Sequence, residues 1–259
     1  MTMPTDFQPD AASHESWFEP IISGKKGGTL LCFPFSGSGA SLFARWKKHL
    51  MDDVNLLAAR LPGRESKIRQ RPCEDLCATA DAISASLAAG DFRDDKLFLA
   101  GFSLGGLLAF EVARGLRRQG IDIELLVVGS VRAPQGRWKR HALHKLPDEK
   151  FVAKLQQQYA AIPQAVVDNA ELLQLMLPML RADIKMVETY QYRDDQPLSC
   201  ELLSLLGSSD SMVQPKHVYP WREMATSFRH RTFNGDHYFV RTDPQAVLET
   251  INRRIRRLI

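Results

Sequence analysis

Short apolar runs alternate along the chain with longer segments of helical periodicity. The runs lie at Thr29–Phe35, Val54–Leu61, Lys96–Phe102, Ile123–Gly129, Leu202–Leu206 and, with a weaker pattern, Ser227–Phe233. Several of them are apolar at consecutive positions, which is typical of parallel strands buried on both faces. The helical segments lie at Leu76–Ala89, Leu104–Gln119 and Pro244–Leu258. This alternation predicts an α/β fold with a mostly parallel sheet flanked by helices.

Residues 135–196 interrupt the alternation, because they show a helical pattern and no convincing strand. One helix is predicted to open at Pro147, and a second to span Glu171–Met186 with an interruption or kink at Pro178. We interpret the segment as a helical lid inserted over the sheet. The alternative is that it supplies ordinary crossover helices of the core, although about sixty residues is long for one connection.

The chain length of 259 residues suits one large α/β domain, and no change in composition marks a linker. We therefore predict a single domain over residues 1–259, with a core at about 20–134 and 197–259 and the lid insertion at about 135–196. Hydrophobic residues at 44% and charged residues at 25% are close to globular averages, which excludes a disordered or fibrous body.

The formal net charge of +4 is modest, and most of the basic residues are scattered. The terminal group of Arg253, Arg254, Arg256 and Arg257 is more typical of a solvated helix face than of a nucleic-acid or membrane surface. We predict no nucleic-acid partner and, because no apolar run approaches about 18 residues, no membrane span. A mildly basic surface suits an acidic partner, since complementary charge speeds encounter.

The four cysteines, at 32, 73, 77 and 200, have no paired C-x-x-C spacing, so no metal site is predicted. So few cysteines at this length favour a reduced, cytoplasmic setting. Residues 1–20 are polar and contain no apolar segment of the kind found in a secretory signal, which agrees with that expectation.

The segment KLFLAGFSLGGLLAFEVARGLRRQG joins an apolar strand to an amphipathic helix through Gly101-Phe-Ser103-Leu-Gly105. This G-x-S-x-G pattern is typical of a nucleophile elbow, a turn so tight that its serine is strained and glycine is needed on either side. The pentapeptide alone is weak evidence, but the strand before it and the helix after it are the context that the motif requires. We predict that Ser103 is the nucleophile of a serine hydrolase with an α/β-hydrolase fold.

A serine hydroxyl needs a general base, which comes late in the chain in this fold. His237 follows the last apolar run, behind the flexible turn of residues 234–236, and is the predicted base. His217 precedes the final strand and is interpreted as a loop residue. His230 has an arginine on each side and is interpreted as a surface or edge-strand residue.

The acid that orients the base is expected at a strand end between nucleophile and base. Asp210 follows the buried run at 202–206 and is the predicted triad acid. Asp236 is the first alternative, but a carboxylate next to the base in a turn rarely aligns with the ring nitrogen. Asp183 is the second alternative.

The developing oxyanion needs two backbone N–H donors. Leu104, directly after the nucleophile, is predicted to supply one, and Phe35 or Ser36 in the loop after the first strand to supply the other. A phosphate-binding interpretation of this loop is disfavoured, because residues 33–39 lack the Lys-Ser or Lys-Thr ending of a P-loop and do not match G-x-G-x-x-G.

Several sequence blocks together resemble the type II (editing) thioesterases of nonribosomal peptide and polyketide synthetases. The blocks are LLCFPFSGSGASLFARW at 30–46, ARLPGRESK at 59–67, GFSLGGLLAFEVAR at 101–114, RAPQ at 132–135, LPMLRADIKMVETYQY at 177–192, LLGSSDSMV at 205–213 and GDHYFV at 235–240. The resemblance implies that Ser103, Asp210 and His237 are the triad and that residues 135–196 are the family's lid.

The resemblance also implies an activity, namely hydrolysis of misprimed or stalled acyl groups from the phosphopantetheine arm of carrier protein domains. Acyl-loaded carrier proteins and small acyl thioesters are the implied substrates, and no cofactor is implied. The sequence departs from the family in two places. The usual His-Ala-Gly-Gly of the oxyanion loop reads Phe35-Ser-Gly-Ser, and the usual paired glycine of the lid reads Ala160-Ala161.

Apolar residues lie on more than one side of the predicted lid helix Glu171–Met186. They include Leu172, Leu173, Met176, Leu177, Met179 and Leu180. Such a pattern suggests a second apolar surface turned toward an acyl tunnel or a partner, and Met176, Met179 and Leu180 are the predicted substrate-binding residues of this helix. Plain core packing of a kinked helix explains the same residues.

Two alternative functions are compared with the same candidate residues. A carboxylesterase or lipase acting on free esters would share the triad. A non-catalytic scaffold that binds carrier proteins would have no need of an intact serine, acid and base.

Overall fold

The computed structural model describes residues 17–90, 92, 96–136, 142–159 and 164–259. In these ranges seven strands form one sheet. They are β1 (Phe18–Ile22), β2 (Thr29–Phe33), β3 (Asn55–Ala59), β4 (Leu97–Phe102), β5 (Leu125–Gly129), β6 (Leu198–Gly207) and β7 (Ala225–Phe233). The spatial order is β1-β3-β2-β4-β5-β6-β7, in which β1 is antiparallel to β3 and all other neighbours are parallel.

Helices follow most of the strands. The α-helices are α1 (Leu76–Ala89), α2 (Leu104–Arg118), α3 (Asp148–Tyr159), α4 (Gln164–Val167), α5 (Ala170–Thr189), α6 (Pro215–Val218), α7 (Phe239–Thr242) and α8 (Pro244–Ile255). Segments of 3-10 helix lie at Ala40–Lys48, Glu65–Lys67, Leu143–Lys145 and Tyr219–Glu223. In the described ranges, no helix has both the length and the apolar character needed to cross a membrane.

The central strands are buried on both faces, as their continuous apolar runs predict. Alternate residues of a strand point to opposite faces, so Leu31 and Leu99 pack with α1 and α2, whereas Leu30 and Phe98 pack on the other side. The second side is covered by the 3-10 helix Ala40–Lys48 and by α8. The sheet therefore presents the ends of its strands, rather than its faces, to any substrate.

The described helices between β5 and β6 build a hydrophobic cluster of their own. Its members come from α3, α5 and the short segment before α3, and they are Leu143, Phe151, Val152, Leu155, Leu177, Met179, Leu180 and Ile184. The predicted helices at Pro147 and Glu171 are both present, and α5 runs without interruption through Pro178. The division into core and lid stays a prediction. Ala160-Ala161 lie outside the described residues.

The α/β-hydrolase fold class is confirmed, with three differences in detail. The antiparallel edge strand β1 has no strong signal in the sequence, because it is only five residues long and two of them are exposed. Strand β6 is longer than its predicted apolar run, since its first residues alternate in burial. His217, interpreted as a loop residue, lies in the short helix α6, where its Nδ1 accepts the backbone N–H of Gln214.

Candidate active site

Ser103 occupies the turn between β4 and α2 in a strained backbone conformation. Its φ of 52° and ψ of −118° lie in a region that residues with a side chain rarely adopt. A Cβ on Gly101 would lie 1.9 Å from the carbonyl oxygen of Gly105, and a Cβ on Gly105 would lie 2.2 Å from that of Phe33. Glycine is therefore required on both sides of the serine, as the motif predicts.

Asp210 and His237 lie in the loops that follow the neighbouring strands β6 and β7. Nδ1 of His237 is 2.8 Å from Oδ2 of Asp210, and both residues are buried. The other carboxylate oxygen, Oδ1, accepts the backbone N–H groups of Met212 and Val213, each at 2.9 Å. The carboxylate is thus fixed at one oxygen and directed at the imidazole with the other.

Gly207 at the end of β6 allows these two loops to approach. A Cβ at this position would lie 2.2 Å from the carbonyl oxygen of Asp236. The backbone N–H of Ser208 donates to Phe233, and that of Ser209 donates to Gly235, at 2.7 and 2.8 Å. Three backbone contacts therefore hold the turn before His237 against the end of the strand that delivers Asp210.

The environment of Asp210 keeps its carboxyl group ionised. Burial alone would raise its pKa, but the hydrogen bond and positive charge of His237 and the N–H groups of Val213 and Met212 lower the pKa below its ordinary value. An ionised carboxylate can only accept hydrogen bonds, so Nδ1 of His237 carries the proton. In the neutral imidazole, Nε2 is then the ring nitrogen with a free electron pair, which is the form that a general base requires.

The other candidate acids make different contacts. Oδ1 of Asp236 accepts the backbone N–H of Tyr238, in an exposed turn. Asp183 lies on α5 and forms a buried ion pair with Arg64. Among the described residues, Asp210 is the acid that hydrogen-bonds His237. His230 lies on the edge strand β7, as expected from the sequence.

Leu104, Phe35 and Ser36 are the three candidates for the two predicted oxyanion donors. Among the described residues, no acceptor is hydrogen-bonded to the backbone N–H of Leu104, Phe35 or Ser36. The N-terminal turn of α2 lies against the backbone of residues 33–34, which brings Leu104 close to the loop that carries Phe35 and Ser36. Free donors next to a strained serine are what an oxyanion site requires.

Aromatic contacts join the loop after β2 to the predicted base. The ring centroids of Phe35 and Tyr238 are 5.0 Å apart, and those of Tyr238 and His237 are 5.2 Å apart, both in edge-to-face arrangements. Such pairs add stabilisation of about 0.5–1.5 kcal/mol beyond simple burial. Tyr238 therefore braces His237 against the oxyanion loop.

A cavity of about 900 Å³ lies between this loop and α5. Phe35 and Ser36 line it on the core side, and Met176, Met179 and Leu180 line it on the α5 side. Among the described residues, Ser103, Asp210 and His237 do not line it, so the oxyanion loop is the part of the predicted site that borders the cavity. Met179 and Leu180 also belong to the cluster between α3 and α5.

Two residues that sequence reasoning left without a role organise the oxyanion loop. Arg64 donates to the carbonyl of Ser38, and Glu65 accepts the backbone N–H groups of Ala40 and Ser41. Both belong to the block ARLPGRESK, which contributed to the family resemblance. A signal was therefore present, but their contacts join distant parts of the chain.

The sheet order and the strained serine turn define an α/β-hydrolase, and comparisons with known proteins agree. The family described as "Thioesterase domain" matches residues 28–255. The "Gramicidin S biosynthesis protein GrsT" of Aneurinibacillus migulanus is 29% identical over 229 residues, covering 88% of each chain. "Thioesterase PikA5" of Streptomyces venezuelae is 33% identical over 214 residues, covering 82% of this chain and 75% of that protein.

The solved structure of YbtT, titled a type II thioesterase from the yersiniabactin NRPS/PKS biosynthetic pathway, matches with a TM-score of 0.84. It is 27% identical, and the match covers 93% of this chain and 99% of that one. The chain thus belongs to the thioesterase family, and it is a type II thioesterase of the kind associated with nonribosomal peptide and polyketide synthetases. It is therefore a hydrolase that acts on thioesters.

The choice of acid is tested by two isosteric changes. We expect Asp210→Asn to lower kcat about 10³–10⁴-fold, because an amide at this position no longer selects the ring form with a free electron pair on Nε2. Asp236→Asn should stay within about threefold of the unchanged enzyme, because an amide oxygen can still accept the N–H of Tyr238. Steady-state measurements of kcat on one acyl thioester distinguish the two candidate acids. A larger loss of kcat for Asp236→Asn than for Asp210→Asn would show that the acid is misassigned.

Proposed function

We propose that this enzyme clears acyl groups from carrier proteins by covalent catalysis at Ser103. The observation that carries the proposal is the contact between Nδ1 of His237 and Asp210, at the same edge of the sheet as the strained serine turn. Three supports are independent of it: the N–H groups of Phe35 and Ser36, which have no acceptor among the described residues, the adjoining cavity and the family of the chain.

In the first half of the proposed reaction, Oγ of Ser103 attacks the thioester carbonyl while Nε2 of His237 takes the hydroxyl proton. The resulting oxyanion is bound by the N–H of Leu104 together with that of Phe35 or Ser36. The carbon–sulfur bond then breaks, and the sulfur leaves as a thiol with the proton from His237. The acyl group remains on Ser103 as an ester.

In the second half, His237 takes a proton from water, and the hydroxide attacks the acyl ester. The same N–H donors bind the second oxyanion. The carbon–oxygen bond to Ser103 breaks, Ser103 recovers its proton from His237, and the free carboxylic acid leaves. Asp210 acts throughout by stabilising the imidazolium ion and holding the ring in line.

The cavity next to the oxyanion loop is suited to an acyl chain on an anionic arm. The α5 residues that line it are apolar and include Met176 and Met179, and the lining from other parts of the chain includes Arg45 and Arg241. Among the described residues, neither arginine has an acidic partner. We propose that the apolar wall holds the acyl group, while the two arginines face the phosphate of the phosphopantetheine arm and the acidic carrier protein.

A cytoplasmic location completes the proposal. All four cysteines are free thiols, two of them buried, which fits the reducing compartment predicted from the sequence. Carrier proteins of synthetases would be met in the same compartment.

The substrate class is tested by comparing three acyl donors of equal chain length: an acyl carrier protein, the matching acyl-CoA and a nitrophenyl ester. We expect kcat/KM to be highest for the carrier protein. In the double variant Arg45→Glu, Arg241→Glu, kcat/KM for the carrier should fall about tenfold, and for the uncharged ester it should stay nearly unchanged.

Arg256→Glu is the matched control, because Arg256 is exposed beyond the end of α8 and does not line the cavity. Arg256→Glu changes the net charge by the same amount as each substitution in the double variant. It should leave kcat/KM unchanged for all three acyl donors. Raising the salt concentration should reduce the difference in kcat/KM for the carrier protein between the unchanged enzyme and the double variant. Preference for the nitrophenyl ester over the carrier protein would instead indicate an esterase of free substrates.

The acyl-binding role of α5 is tested by Met176→Gln and Met179→Gln. At a cavity-lining position, we expect either change to shift the ratio of rates on short and long acyl carriers. Leu177→Gln is the matched control, because Leu177 is buried on the same helix but does not line the cavity.

The control should lower the stability by about 1–3 kcal/mol through a buried, unsatisfied amide and leave the ratio unchanged. Melting temperature and relative rates on the two substrates are the measurements. Lower melting temperatures for the methionine variants, with no change of ratio, would show that the methionines serve only to pack the helix.

A further inference from the structure

The loop that carries the candidate oxyanion donors is held by a side chain from α5. The carboxylate of Asp183 accepts the backbone N–H of Gly37 at 2.8 Å. Gly37 has a φ of +80°, and a Cβ at its position would lie 2.9 Å from Cδ2 of Leu180, one turn earlier on the same helix. The loop and the helix therefore meet at the residue directly after Ser36.

Arg64 completes this contact from a third part of the chain. Its Nη1 and Nη2 donate to the two carboxylate oxygens of Asp183 at 2.9 and 2.6 Å, and Nη1 also donates to the carbonyl of Ser38 at 3.0 Å. Only 5% of the Arg64 side chain and none of the Asp183 side chain is exposed. A forked, buried ion pair of this kind fixes orientation as well as distance.

The next residue, Glu65, holds the far end of the same loop. Its backbone has a φ of +47°, and its carboxylate accepts the N–H groups of Ala40 and Ser41 at 2.9 and 3.2 Å. The dipeptide Arg64-Glu65 thus fixes the loop on both sides of Gly39. Asp183 differs from these two anchors, because it lies on α5, in the helical segment between β5 and β6 that is predicted to be the lid.

We propose that Arg64 and Asp183 are positioning residues of the thioesterase reaction, which set the oxyanion donors only when α5 is seated on the core. The inference depends on the proposed roles of Phe35 and Ser36. As a consequence, catalysis depends on the position of α5, the helix that lines the cavity. Movement of α5 away from the core removes the acceptor of the Gly37 N–H and leaves Arg64 without its counter-ion, so the loop loses its catalytic geometry.

The test uses two changes that keep the side chain at a similar size. Arg64→Lys removes the forked guanidinium group, and Asp183→Asn removes the negative charge. We expect kcat to fall about 10–100-fold on a small acyl thioester while KM changes much less, because the misplaced donors act on the transition state. Arg114→Lys is the matched control: Arg114 forms a buried ion pair with Glu111 on α2. It should lower the melting temperature comparably and leave kcat unchanged.

A chemical rescue separates positioning from general support of the fold. Arg64 lines the cavity, so a small cation can reach the space left by Arg64→Ala. We expect added guanidinium, but not ammonium at equal concentration, to restore part of the lost kcat of Arg64→Ala. This readout remains available if Asp183→Asn does not fold.

The outcomes distinguish this inference from the proposed function. If Ser103→Ala abolishes turnover and Arg64→Lys keeps the kcat of the unchanged enzyme, the positioning role is wrong and the serine mechanism stands. If Ser103→Ala keeps its activity, the proposed function fails first. The positioning role would also be wrong if kcat and melting temperature fell together, and to the same extent, in Arg64→Lys and Arg114→Lys, and if guanidinium did not restore the kcat of Arg64→Ala.

Discussion

The close approach of backbone to backbone at the turn around Ser103 is the constraint on which the site depends. With Gly101 and Gly105 in contact with carbonyl oxygens, β4, α2 and the loop after β2 are brought closer than side chains would allow. The serine is held at a positive φ of 52° by these neighbours, and the first N–H of α2 has no acceptor in the part of the chain that the structure describes. Strain in one residue thereby places the predicted nucleophile and a predicted oxyanion donor next to each other.

A second close approach, at Gly207, brings together the predicted acid and the predicted base. Asp210 and His237 come from loops after adjacent parallel strands, and adjacent parallel strands end at the same edge of a sheet. The fold thus needs only short loops to place them. Their electrostatics follow from the contact, since the imidazole and two backbone N–H groups keep the buried carboxylate ionised.

Structural features could be predicted from the sequence where neighbouring residues determine them. The elbow at Ser103 could be predicted because strand, turn and helix are contiguous, and the position of Asp210 after a buried run follows from the rule that parallel strands deliver residues to one edge. The edge strand β1 could not be predicted, because its pairing with β3 rather than its own pattern decides its structure.

Contacts between distant segments were also beyond the sequence. Asp183 could be considered only as a distant alternative for the triad acid, since its partners Arg64 and Gly37 are separated from it by 119 and 146 positions. The apolar excess on α5 could be noticed, but its division between a packed cluster and a cavity wall depends on how the helix is rotated against the core. Packing geometry of this kind is not encoded in periodicity.

In the proposed reaction, Ser103 accepts the acyl group from the carrier protein and then passes it to water. Intact-mass spectrometry of an acyl-loaded carrier protein, before and after addition of enzyme, measures whether release of the acyl group requires the hydroxyl of Ser103. We predict that the unchanged enzyme removes the acyl mass from the carrier and that Ser103→Ala, folded to the same melting temperature, leaves it in place. Release by Ser103→Ala at more than about a thousandth of the original rate would contradict the account, because it exceeds what binding and oxyanion stabilisation alone supply.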